Sequence, residues 1–314
     1  VATQPAGKAL LGRVQVLMEA DGARQAEEVI GTLRGNTVCG IHGYFAHGPA
    51  ELAERVAMQM GIPFGFSIHA KDARKIAPEV LSARARKAAC VIACNQDVAD
   101  ELRNSGANVH LAPHGVDLER FVRQPFPEIG VLKLLAVGRL VEKKGFHILI
   151  DAAARLRVPF QLEIVGEGPE EKRLTELIRA HNLGPKVKLC GPKTHDDLPE
   201  AYRRAHALVA PSIVDQSGDR DGLPNVVLEA MACGRPVIAS DVAALGSAVI
   251  HEQTGLLTPP GRPESLAAAI ELLANERSTL EKMGMRARAL VECEYDVRRC
   301  TERFHNLLRS AYAC

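Results

Sequence analysis

Tryptophan is absent from the 314 residues, and aromatic residues together reach only 4%. So thin an aromatic supply argues against a base-stacking platform for single-stranded nucleic acid and against an aromatic-lined glycan cleft. A surplus of either charge is lacking too. The 39 Lys and Arg against 38 Asp and Glu leave a net +1, so the balance gives no reason to expect a nucleic-acid partner. No apolar run approaches the roughly 18 residues that span a bilayer as a helix. No Cys-x-x-Cys occurs among the eight cysteines. Cys90 and Cys94 sit in an Ala/Val/Ile run where a reduced thiol packs as a small hydrophobe. The expectation is a reducing, cytoplasmic setting, with peripheral contact at the inner face of a membrane left open. A phosphate loop of the Gly-Lys-Ser/Thr kind is missing, because Gly7-Lys8 has no strand before it and the wrong spacing. His181 and His195 lack metal-ligand spacing.

What is present is an ordinary globular composition, 46% hydrophobic and 25% charged, on a chain long enough for two cores. A charged segment at 23–33 reads as a surface helix. From residue 37 short apolar runs alternate with helical patterns. Strands are expected at 37–42, 63–67, 90–93 and 109–112, and helices at 49–60, 78–89 and 97–104. Pro125-Phe126-Pro127 with Gly130 marks a linker. Beyond it strands at 133–137, 161–165, 186–189, 207–210, 236–239 and 255–257 alternate with helices, and an amphipathic helix at 297–310 ends the pattern. Such alternation specifies α/β domains built on parallel sheets covered on both faces.

Two stretches carry chemistry. Asp221-Gly222-Leu223-Pro224-Asn225-Val226-Val227-Leu228-Glu229 passes from a loop into a short buried helix, with Asn225 as the expected N-cap and Gly234 ending it. Its helix N-terminus suits a phosphate or diphosphate, while the carboxylates of Asp221 and Glu229 suit neutral sugar hydroxyls. Gly138-Arg139 and Lys144-Gly145 follow the first strand of the second alternating run. A guanidinium fork and an ammonium there can grip a diphosphate from two sides. Gly166-Glu167-Gly168 is a weaker nucleotide-loop signal that a tight turn explains as well.

The acid pair, followed by Ala-Met-Ala-Cys-Gly-Arg-Pro-Val-Ile-Ala-Ser-Asp at 230–241, resembles the signature of retaining nucleotide-sugar-dependent glycosyltransferases of family four. These are built as two Rossmann-like domains facing across a cleft, the GT-B type. The chain departs from the pattern by having Asp221 where the first Glu usually stands. Gly138-Arg139 through Lys144-Gly145 is similar to the same family's diphosphate-binding motif. The resemblance implies a hexose moved from a nucleoside-diphosphate sugar to a hydroxyl acceptor, with no metal or other cofactor. His69, Arg139, Lys144 and Asp221 would be catalytic. Gly138, Gly166, Gly191, Leu223, Asn225, Val226 and Glu229 would bind the donor, Glu229 through the ribose. His69 would lie beside the hexose and Asp72 on the acceptor side, while His114 would serve packing. Backbone contacts to the base near Gly191 leave uridine, guanosine and adenosine undistinguished, and nothing specifies the acceptor or an oligomer. The implied domains are 1–127, with 297–314 packing back on it, and 128–296. The first would lack about three strands and its glycine-rich loop, as if the chain began partway into that domain. A paralogue that binds without catalysing, and less readily a sugar-nucleotide epimerase, stay open on these residues.

Overall fold

The computed structural model describes residues 14–17, 24–128 and 130–313, which fall into two compact units. Gly7, Lys8 and Cys314 lie outside the described residues, as does the side chain of Asp72. Unit 1 comprises residues 1–114 and 298–314, and unit 2 comprises residues 115–297.

Unit 1 runs β1 (Val14–Leu17), α1 (Arg24–Leu33), β2 (Gly40–Gly43), α2 (Gly48–Met60), β3 (Phe64–Ile68), α3 (Ala70–Ala73), α4 (Pro78–Lys87), β4 (Cys90–Ala93), α5 (Gln96–Arg103) and β5 (Val109–Leu111). All five strands pair parallel in chain order. Four strands were expected, so β1 is a correction. Its four residues are too short to show a period against their flanks. Local chemistry sets the helix ends. The ring Nδ1 of His47 accepts from the Gly48 N–H at 2.8 Å, Gly61 at φ 66° closes α2, and the Asn95 side chain accepts from the Val98 N–H to start α5.

Alternation along the strands divides the two sheet faces. Ile41, Phe66, Ile68, Val91 and Ala93 pack under α2, α4 and α5. The opposite face carries Cys90 and Ile92, covered by Leu308 and Tyr312 from the C-terminal helix Val297–Ala311 and the residue after it. Gly40 and Gly65 have no side chain because the Tyr312 ring and hydroxyl occupy that space. Among the described residues six cysteines, including Cys90, Cys94 and Cys233, are in no disulfide, whereas Cys39 is disulfide-bonded, which corrects the expectation of a wholly reduced set.

Unit 2 runs β6 (Leu132–Val137), α6 (Phe146–Ala153), β7 (Phe160–Val165), α7 (Glu171–Ala180), β8 (Val187–Leu189), α8 (Leu198–Arg204), β9 (Ala207–Ala210), α9 (Asn225–Ala232), β10 (Val237–Ser240), β11 (Gly255–Thr258), α10 (Pro263–Asn275) and α11 (Arg277–Glu294). Its all-parallel sheet has the order β11-β10-β9-β6-β7-β8. Winding outward from β6 in one direction and then from β9 in the other is the doubly wound Rossmann plan. One core packs α6, α7 and α10 against Leu134, Leu162 and Ile164, and the other packs α8, α9 and α11 against Leu135, Val165 and Leu208. Fully buried residues such as Leu149, Ile164 and Ile270 each contribute about 1.5–3 kcal/mol from burial.

The boundary falls at 114/115 rather than 127/128. Val116 is bridged to Asp296, its N–H donates to the Tyr295 carbonyl, and Phe121 is buried in a unit 2 core. The proline-rich stretch is likewise fixed to unit 2. Buried Arg235 donates to the Pro125 carbonyl at 2.8 Å and lies over the Phe126 ring. Among the described residues no helix is long and apolar enough to cross a membrane.

Candidate functional site

In a doubly wound sheet, ligands collect outside the carboxyl ends of the strands where the winding reverses. In unit 2 that point lies between β6 and β9. After β6 the chain passes Gly138 and Arg139 into a tight 3-10 turn, Glu142–Lys144, closed by Gly145 at φ 65°. Gly145 must be glycine on two counts: its left-handed backbone, and the Pro211 carbonyl of the loop after β9, which a Cβ would overlap. The Ile213 N–H donates to the Lys143 carbonyl at 2.8 Å, stitching the same two loops together.

Across this junction Lys144 Nζ stands 2.7 Å from Asp221 Oδ2, and Lys143 Nζ stands 3.3 Å from Asp221 Oδ1 and 3.0 Å from Asp219 Oδ2. The Ser212 hydroxyl donates to Asp221 Oδ2 at 3.2 Å. The lysines and Asp221 are only 12–16% exposed, so these pairs are better shielded than ordinary surface salt bridges. A Cβ at Gly138 would come within 3.1 Å of Lys144 Cε, so the glycine leaves room for the lysine stem. Arg139 is exposed and makes no ion pair among the described residues.

The helix α9 opens one residue earlier than expected. Pro224 is the N-cap and Asn225 the first helical residue, because proline's fixed φ and extended ψ supply the entry geometry without a side-chain cap. The N–H groups of Asn225 and Val226 therefore have no intrahelical acceptor, and no acid sits in the first turn. Gly234 takes the left-handed conformation just past the end, as expected. Glu229 lies one turn in and is 6% exposed, accepting from the Tyr202 hydroxyl at 2.8 Å, with His195 Nε2 3.5 Å from its other oxygen. Burial, followed by the Glu229 charge, raises the Tyr202 phenol well above its ordinary pKa. His195 in turn touches Arg120 and sits edge-on to Phe121.

Gly138, Gly166 and Gly191 form a row along the carboxyl ends of β6, β7 and β8. The Gly138 N–H donates to Val165, and the Gly166 N–H to Gly191, each at 2.9 Å. A Cβ on Gly166 would overlap the Gly138 carbonyl, whereas Gly191 faces open space at φ 65°. Leu223 is half-buried on the loop before α9.

His69 belongs to unit 1, at the carboxyl end of β3. Its ring stacks on His114 at 5.1 Å and 9°, with Tyr44 and Phe45 tilted against it at 5.2 and 5.1 Å. Burial first, and His114 second, lower its pKa to about 4. Asp72 lies on α3 immediately after.

The fold thus joins Lys144 to Asp221 directly, keeps Arg139 on the same loop, and holds Glu229 in a separate buried contact. Sequence reasoning missed Lys143, Ser212 and Asp219, and gave no role to Tyr202 or His195. Only the repeated basic residue at 143 offered a signal.

Two Rossmann-like units with these parallel sheets define the GT-B class of fold. Sucrose-phosphate synthase from Thermosynechococcus elongatus matches with TM-score 0.78 and 25% identity, covering 92% of this chain and 78% of that one. Anabaena HepE in complex with UDP matches with TM-score 0.81 and 21% identity, covering 97% and 89%. Residues 122–290 match the family described as Glycosyl transferases group 1, and residues 22–120 that described as Glycosyltransferase Family 4. The chain belongs to the group 1 glycosyl transferases. Similar relatives include the amylovoran biosynthesis glycosyltransferase AmsK of Erwinia amylovora, 33% identical over 168 residues and 52% of this chain. Glycogen synthase of Mycobacterium tuberculosis is 30% identical over 269 residues and 79% of this chain. The chain spans about half the length of the curated relatives it matches, 41% and 63% in these two cases.

Proposed function

We propose that unit 2 binds a nucleoside-diphosphate sugar and that the protein transfers the hexose to a hydroxyl acceptor with retention at the anomeric carbon. The observation that carries this reading is the pairing of Lys144 with Asp221 at the switch point, with Arg139 on the same loop and the open N–H groups of α9 on the loop beyond Asp221. In this reading Lys144, Arg139 and the helix N-terminus take the charge that develops on the leaving diphosphate. The contacts at Leu223, Asn225 and Val226 are made along the α9 entry. Asp221 accepts hydrogen bonds from hexose hydroxyls, and Glu229, oriented by Tyr202, accepts from the ribose hydroxyls. Gly138, Gly166 and Gly191 let ligand atoms approach bare backbone. With Asp221 paired to Lys143 and Lys144 and Glu229 bonded to Tyr202, both carboxylates are already engaged, and in this reading the acceptor attacks from the face the diphosphate leaves while a diphosphate oxygen takes the acceptor proton. The chemistry assigned to these residues calls for no metal.

The test begins with thermal unfolding in the presence of UDP-, GDP- and ADP-sugars. A donor at a hundredfold its Kd stabilises by about 2.7 kcal/mol. A UDP-sugar is the first choice, since HepE, which shares the fold, is seen with UDP. Transfer is then assayed with the stabilising donor, and product NMR reads the anomeric configuration. Stabilisation by none of the donors, or an inverted product, defeats the proposal.

A further inference from the structure

We infer that His69, Cys94 and His114 form a binding site for a soft divalent metal ion of the zinc type. The topology of unit 1 builds it. The strands β3, β4 and β5 are neighbours, all parallel, with Ile68 in register with Ala93 and Ala93 with Leu111. His69 is the first residue beyond β3, Cys94 the first beyond β4, and His114 follows β5 closely. Three residues distant in sequence therefore leave the sheet at one edge, and one ligand atom from each lies within 4.8 Å of the others. Zinc bonds of about 2.0–2.3 Å in a tetrahedral arrangement need ligand atoms roughly 3.3–3.7 Å apart, so side-chain rotations closing about 1 Å complete the site.

The chemistry of the donors selects the ion. Two imidazoles and a thiolate favour zinc and its soft neighbours over magnesium or calcium, which prefer all-oxygen shells. His69 Nδ1 is buried without a hydrogen-bond partner. A buried nitrogen left without a partner is unfavourable, and coordination would satisfy it. Burial keeps the His69 ring neutral, with its pKa near 4, and lowers that of His114 as well. Neutral imidazole is the form that ligates. Cys94 is in no disulfide, and the Asn95 amide stands 3.5 Å from its sulfur as a donor able to support a thiolate. On binding, the thiol proton passes to solvent and the sulfur lone pair goes to the metal. Tyr44 and Phe45 wall off one side, and the three protein ligands leave a fourth position for water. The site lies wholly within unit 1, and its test reads metal binding rather than sugar transfer.

The test uses the full chain, stripped by a chelator and titrated with cobalt(II), followed by displacement with zinc. One equivalent of cobalt should produce a sulfur-to-metal charge-transfer band. Cys94→Ser should abolish that band, and Cys94→Ser, His69→Gln and His114→Gln should each weaken zinc binding at least about tenfold. His181→Gln and Cys293→Ser, which change residues elsewhere, should bind as the parent does. Unfolding temperatures of the metal-free variants check that each folds. If Cys94→Ser does not, His114→Gln, whose ring reaches solvent, carries the comparison. Absence of the band in the parent, or unchanged zinc affinity in folded His114→Gln, overturns the assignment.

Discussion

Lys144 and Asp221 meet at 2.7 Å and in doing so tie the loop after β6 to the loop after β9, the two strands between which the sheet of unit 2 reverses its winding. The pair leaves the ammonium neutralised yet near solvent, at 15% exposure. In the proposed reaction an arriving diphosphate would meet a lysine already held in place, and Asp221, with three donors on its roughly four lone-pair sites, would keep one on Oδ1 for a hydroxyl donor. Lys143 adds a second cation to the same carboxylate. Removing one lysine does not orphan the acid.

That redundancy separates activity from stability. Lys144→Ala leaves Asp221 with Lys143 at 3.3 Å and the Ser212 hydroxyl at 3.2 Å. Its stability should stay within about 1 kcal/mol of the parent, while transfer falls by about 10²–10³-fold, as when one preorganised charge donor is lost. Steady-state kinetics beside thermal unfolding checks both halves. Near-normal transfer by this variant would remove Lys144 from the mechanism.

Two glycines with the same φ of 65° should respond differently to alanine. At Gly145 the new Cβ meets the Pro211 carbonyl, and backbone cannot swing aside. Gly145→Ala should cost about 3 kcal/mol, combining left-handed strain with overpacking. At Gly191 nothing lies within 4 Å, so Gly191→Ala should cost only about 1 kcal/mol. Urea unfolding resolves the difference, and equal costs would contradict the close approach of the loops after β6 and β9.

The behaviour of these loops shows what the sequence could and could not reveal. The six strands of unit 2 were legible because each is a short apolar run bounded by Gly, Pro or charged residues, and the Arg139–Lys144 loop was legible as a cationic turn at a strand end. Long-range pairing was not. Nothing local ties Arg235 to Pro125, so a fixed segment reads as a linker. Nothing marks Lys143 as a partner of Asp219, or Tyr202 and His195 as neighbours of Glu229. The strand β1 and the convergence of His69, Cys94 and His114 depend on sheet order, which no spacing encodes.

Tyr202 supplies the next test. Its hydroxyl donates to Glu229 Oε2 at 2.8 Å in a buried setting. Tyr202→Phe removes the donor while keeping the ring, leaving a carboxylate oxygen unsatisfied at a cost of about 1–3 kcal/mol. If Glu229 holds the ribose, donor KM should rise more than kcat falls. A loss confined to kcat would assign Glu229 a different task.

The last prediction concerns acid. His42 is completely buried in the sheet of unit 1, its Nδ1 2.9 Å from the Tyr312 hydroxyl and its Nε2 3.0 Å from the Ser67 hydroxyl. A neutral ring donating from Nδ1 and accepting at Nε2 satisfies both contacts and lets Tyr312 donate to the Ile41 carbonyl at 3.3 Å. Burial lowers its pKa from 6.5 to about 3. Above pH 6.5 neither the folded nor the unfolded state binds the proton, so the ring carries no penalty. Below 6.5 the unfolded chain takes up the proton and the folded one does not, and stability falls by up to about 1.4 kcal/mol per pH unit until the folded ring protonates near 3. His69, lowered to about 4, acts in the same direction. His42→Gln should be less stable at neutral pH, yet its stability should decline less steeply between about pH 6.5 and pH 5. Urea unfolding at several pH values gives the two slopes. Parallel slopes would mean that the ring is charged within the fold, and that Tyr312 holds the C-terminal helix on the sheet through a different proton arrangement.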